Sequence, residues 1–131
     1  MALATFLAGG CAMTDTTNLT PRRVVLDPGG FYHFETQWSS NRRGVGTNVQ
    51  AYVVIETELY PMSPVAFAKD RFEAFVPLPP GKTYIPYRYR FDFQYPGSFS
   101  TEKNSDLSPS YRLIVPREND QPIQTTQPLQ K

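Results

Sequence analysis

Between residues 84 and 95 the chain reads YIPYRYRFDFQY, with Tyr87, Tyr89, Phe91, Phe93 and Tyr95 alternating against Arg88, Arg90, Asp92 and Gln94. Side chains on a strand point to opposite faces in turn, so this spacing predicts a strand with one aromatic and one charged face. The period of two recurs in FYHFETQW, where Tyr32, Phe34, Thr36 and Trp38 share a face against His33, Glu35 and Gln37. It recurs over 49–60, with Ala51, Val53 and Ile55 inward until Pro61 ends the run, and over 71–78, where Phe72, Ala74 and Val76 fall together. Shorter signals lie at 22–26, closed by Asp27-Pro28-Gly29-Gly30, and at 108–116, with Tyr111, Leu113 and Val115 on one face. In such a turn Pro fixes φ and Gly takes the positive-φ position. The stretch 61–70 predicts an edge segment around 65–68, because Pro61 and Pro64 would be costly in a central strand. Six or seven strands with no helical crossover predict a two-sheet antiparallel sandwich, with a small closed barrel as the alternative.

The two ends follow no such period. Residues 2–8 form a short apolar run, then come Gly9, Gly10 and Cys11, the only cysteine. The run is shorter than the roughly 20 residues a bilayer span needs, but it has the length of the apolar part of a secretory signal. The division expected is a leader over 1–10, a Thr-rich polar tether over 11–20, a β-sandwich domain over 21–117 and a flexible Gln/Thr/Pro tail over 118–131. The leader and Cys11 resemble the lipobox of bacterial lipoproteins. That resemblance implies cleavage before Cys11 and a thioether from its sulfur to diacylglycerol. Ala12, where inner-membrane lipoproteins carry Asp, implies the outer membrane. A small buried thiol on an N-terminal strand is the other reading of Cys11.

A second resemblance lies at Leu78-Pro79-Pro80-Gly81-Lys82-Thr83-Tyr84, which is similar to the stretch opening strand F in fibronectin type III and related immunoglobulin-like domains. It implies that Leu78, Pro80, Gly81 and Tyr84 shape that corner, with the Tyr84 hydroxyl bonding back to upstream backbone. Pro86 departs from the pattern, so Tyr87 is the other candidate for the corner.

Composition narrows the functions. Lys and Arg number 13 against 12 Asp and Glu, a balance that offers no electrostatic footprint for nucleic acid. Thirteen prolines and 14% aromatic residues suit strands and turns. One cysteine and one histidine, His33, leave no disulfide, CxxC pair or multi-Cys metal site, so no catalytic residue, metal or cofactor is expected. Glu56 and Glu58 are read as a solvated pair on one strand face, and Asn18-Leu19-Thr20 as an unused glycosylation triplet. Trp38 is expected in the core. The Arg/Tyr face carrying Arg88, Arg90 and Asp92 is the candidate partner surface, joined by Arg42 and Arg43 of a Gly-rich loop that is otherwise read as a plain strand connection.

The function expected is that of a non-enzymatic, exported and lipid-anchored accessory or structural subunit. It would act through contacts with other protein subunits of a membrane-associated or cell-surface assembly, aided by its polar arms. The alternative is an extracytoplasmic carbohydrate-binding module.

Overall fold

A computed structural model describes residues 13–22, 30–41, 45, 48–79 and 81–115 of the chain. Among them run nine strands: β1 (Thr14–Asn18), β2 (Phe31–Ser40), β3 (Gln50–Ile55), β4 (Glu58–Pro61), β5 (Ser63–Pro64), β6 (Arg71–Pro77), β7 (Tyr84–Pro96), β8 (Thr101–Leu107) and β9 (Tyr111–Ile114). The first sheet has the order β1-β2-β6-β5, the second β4-β3-β7-β8, with β9 also on β7. All pairings are antiparallel. The fold is an all-β sandwich of two antiparallel sheets and not a closed barrel.

The period-two pattern places the core where expected. Tyr32, Phe34, Thr36 and Trp38 of β2 and Phe72, Ala74 and Val76 of β6 face Ala51, Val53 and Ile55 of β3 and the odd-numbered residues 85–93 of β7. Trp38 is 3% exposed, stacks on Phe91 at 5.3 Å and lies 5.1 Å from Phe93. Its Nε1–H donates to Asp106 Oδ2 at 2.9 Å, so the indole is both packed and satisfied.

Strand β7 is the spine of the second sheet. Residues 87–92 pair with β3 on one edge. On the other edge β8 and β9 follow one another, separated by Ser108, Pro109 and Ser110. Arg90 lies opposite Leu107 and Tyr87 opposite Tyr111, so three residues face two and the edge strand bulges. Ser108 holds the bulge: its N–H donates to Tyr89 O at 2.9 Å and its Oγ accepts the Tyr89 N–H at 2.8 Å. Pro109, which has no N–H to give, sits where the ladder is already interrupted.

Several boundaries differ from those the pattern predicts. The tether expected over 11–20 is, from Thr14 to Asn18, an edge strand, so the domain begins before residue 21. Its side chains are exposed or half-buried, which is why no alternation marks it. The single strand expected over 49–60 is a hairpin, β3 and β4, turning at Glu56-Thr57. The edge segment expected at 65–68 lies instead at Ser63–Pro64, and Val65 to Lys69 belong to the connection to β6. No alternation marks strand β8, because TEKNSDL has hardly any apolar side chain to bury. Residues 23–29, and with them most of the strand expected at 22–26, lie outside the described residues, as do the leader, Cys11 and the tail 118–131.

Candidate functional site

The outward face of the second sheet carries Arg88, Arg90 and Asp92, and cross-strand register decides what stands beside them. At the end where β7 begins, Tyr84 lies opposite Ile114, Pro86 opposite Arg112, Arg88 opposite Val54, and Val54 opposite Leu59. Tyr84, Leu59 and Ile114 are exposed, and the Arg112 guanidinium lies 5.1 Å from the Tyr84 ring centroid. None of these seven residues is acidic. This half of the face is apolar and cationic.

The other half is polar. Gln50, Asp92 and Ser105 form one cross-strand row and Gln94 with Lys103 the next, about 7 Å further along the strands. Asp92 is the fixed centre: its Oδ1 accepts from Arg90 Nε at 2.9 Å and from Ser105 Oγ at 2.6 Å. With Asn48, Tyr52 and Asn104 these rows line an open groove of about 600 Å³. Arg90, half-buried and paired to Asp92, separates the two halves.

Between the sheets lies a polar cluster that the pattern gave no sign of. Thr20, buried, accepts the Glu35 N–H on Oγ1 at 2.9 Å, and its hydroxyl also meets the Glu35 carbonyl at 3.0 Å and the Tyr89 hydroxyl at 2.6 Å. Asn18 Nδ2 donates to Tyr87 Oη at 2.8 Å, and the Tyr89 hydroxyl donates to Asn18 Oδ1 at 2.7 Å. The Asn18 amide is therefore engaged inside the fold. Burial pushes the Tyr32 phenol up to about 12 and holds Tyr87, Tyr89 and Tyr111 above the ordinary value.

The remaining candidates are dispersed. Tyr84 is 53% exposed, whereas Tyr87 is 3% exposed and bonded to β1, so the inward position that the fibronectin-like stretch implied for Tyr84 belongs to Tyr87. Pro86 holds no inward place either, since it lies on the outer face. Leu78 packs against the core, and Gly81 has φ of 79°, as a turn glycine does. Pro80, Arg42 and Arg43 lie outside the described residues. Glu56 and Glu58 do not share a strand face: Glu56 occupies the hairpin turn, in an ion pair with Lys82, and Glu58 starts β4. His33 is on the outer face of the first sheet, stacked on Phe75 at 4.7 Å and 2.8 Å from Glu73 Oε2.

Among the described residues no group of three His, Cys, Asp or Glu side chains is placed to hold a metal ion, and no helix is long and apolar enough to cross a membrane. No protein-family model matches the chain, and no curated protein or solved structure does.

Proposed function

We propose that the domain is a non-enzymatic assembly module, exported and lipid-anchored at Cys11, that binds another protein subunit through the apolar-cationic half of its second sheet. The observation that carries the reading is the grouping of Arg88 and Arg112 with exposed Tyr84, Ile114 and Leu59 on a surface where Glu56, which borders Tyr84 and Pro86, is already ion-paired with Lys82. Aromatic residues and Arg are enriched in protein interfaces, and a rigid sheet face loses little entropy on docking. Charge complementarity selects a partner with Asp or Glu beside apolar side chains. The test replaces Arg88 with Glu and Ile114 with Ser, both at exposed positions, and compares what co-purifies from membranes in mild detergent. Loss of the partner with unchanged melting supports the reading, and full retention refutes it.

A second reading, a carbohydrate-binding module, draws on the polar half. Asn48, Gln50 and Gln94 offer amides that donate and accept at once, as sugar hydroxyls require, around a groove within the size range of ligand sites. Trp38 takes no part in it, being buried.

A further inference from the structure

The three most exposed large apolar side chains of the described residues are far apart in sequence. They are Phe67 and Phe99, both fully exposed, and Met13 at 68%, while the next, Phe75, is at 59%. The topology brings all three to one pole of the sandwich. Met13 N–H donates to Asn41 Oδ1 at 2.8 Å and Asn41 N–H to Met13 O at 3.1 Å, fixing Met13 at the end of β2. The turn holding Phe67 meets the same end, because Trp38 N–H donates to Asp70 O at 2.9 Å. Phe99 is at the tip of the β7–β8 turn, closed by Gly97 N–H on Ser100 O at 2.8 Å. That turn lies at the end of the second sheet where β3 begins, since Gln50 pairs with Asp92.

Folding does not account for these side chains. Phe67 has a φ of 59°, a conformation that bulky residues rarely adopt, and it gains no burial in return. Gly97 keeps the other tip tight, since a Cβ there would stand 2.7 Å from Ser100 O. Exposed apolar groups gathered on one end of a domain mark a surface that something else covers.

We infer that this pole seats on a lipid bilayer, with Met13, Phe67 and Phe99 entering the interfacial layer. The chain itself names the occupant. On the lipid-anchored reading the mature chain begins at Cys11, two residues ahead of Met13, at most about 7 Å of extended backbone. Because β1 begins at Thr14, most of the tether expected over 11–20 belongs to the fold and does not hold the domain off the membrane. An anchor that short, together with two aromatic tips, supplies the several weak attachments that stable membrane residence takes. The inference rests on the lipid-anchored reading for the occupant, and it leaves the Arg88 and Ile114 end facing away from the bilayer.

The test couples the chain from Cys11 onward, the mature form of the lipid-anchored reading, through its single cysteine to a maleimide lipid in vesicles of phosphatidylethanolamine and phosphatidylglycerol, so anchoring is imposed whatever the natural modification. Phe67→Trp, Phe99→Trp and, at the opposite pole, Phe31→Trp are compared in vesicles with brominated acyl chains, with the parent Trp38 emission subtracted. The expected result is that the emission added at 67 and 99 is mostly quenched while that at 31 is not. Equal quenching at the three positions, or none at 67 and 99, overturns the inference. Emission at 67 and 99 that shifts in native membranes yet is unquenched in the protein-free vesicles assigns the pole to a protein, and overturns it too. The intact mass of the native protein separately reports acylation: an unmodified Cys11 ends the lipid-anchored reading and leaves the quenching result to stand by itself.

Discussion

Raising the pH should unfold this domain through its buried tyrosines. Tyr32 is 3% exposed, and burial raises its pKa to about 12, whereas the same phenol ionises near 10 in the unfolded chain. A folded-state pKa above the unfolded value means that the stability is fully present below pH about 10 and is lost as pH rises toward 12. At about pH 11 an unfolded tyrosine has gained about 1.4 kcal/mol by ionising, and folded Tyr32 has gained almost nothing. Tyr89, more deeply buried and fully hydrogen-bonded as a neutral phenol, is shifted in the same direction. These two groups together remove about 3 kcal/mol at about pH 11, a large part of the 5–15 kcal/mol that holds an ordinary domain folded. The assay is a series of urea melts by circular dichroism from about pH 8 to about pH 11.5, with tyrosinate absorbance followed in parallel. Tyr32→Phe loses the hydroxyl bond to Pro21 O, 2.9 Å long, at every pH, so its baseline falls by about 1 kcal/mol. Its slope above pH about 10 should be shallower by about 1.4 kcal/mol per pH unit. A wild-type stability that is flat from pH 8 to 11, or a Tyr32→Phe slope equal to wild type, would refute the reasoning.

Three further outcomes are expected. Trp38→Ala should cost about 3–5 kcal/mol in denaturant melts, because the ring fills the space between Phe91 and Phe93; a loss below about 1 kcal/mol would contradict that packing. Thr20→Val keeps the volume but leaves the Glu35 N–H without its acceptor, so about 1–3 kcal/mol should be lost, and no loss would show that water replaces the hydroxyl. Intact mass spectrometry of the native protein should give a fatty-acylated Cys11 as the first residue, with 1–10 absent; an intact leader on an unmodified thiol ends the lipoprotein reading.

What could be read along the chain was whatever alternates. Strands β2, β6 and β7 each present one apolar and one polar face, and any packing that hides the apolar one yields the same inward set, from Tyr32 to Phe93. The charged face of β7 was legible for the same reason. Strands β1 and β8 were not, because an edge strand without an apolar face is specified by the backbone groups of its neighbour, which belong to residues 18 to 26 positions away for β1 and across a turn for β8.

By itself, then, the amino-acid order determined the class of the fold and the membership of its core, since burial depends on side-chain pattern and that is local. It also set the short apolar run that ends at Cys11. Only the tertiary structure decided which residues meet. Cross-strand register split the Arg/Tyr face into an apolar-cationic and an amide-lined half. The bonds from Asn18 and Thr20 to Tyr87 and Tyr89 join residues about 70 apart, and chain closure brought Met13, Phe67 and Phe99 to one pole. Proximity of this kind comes from long-range pairing of strands, and no local pattern records the partner of an edge or the neighbour of a turn.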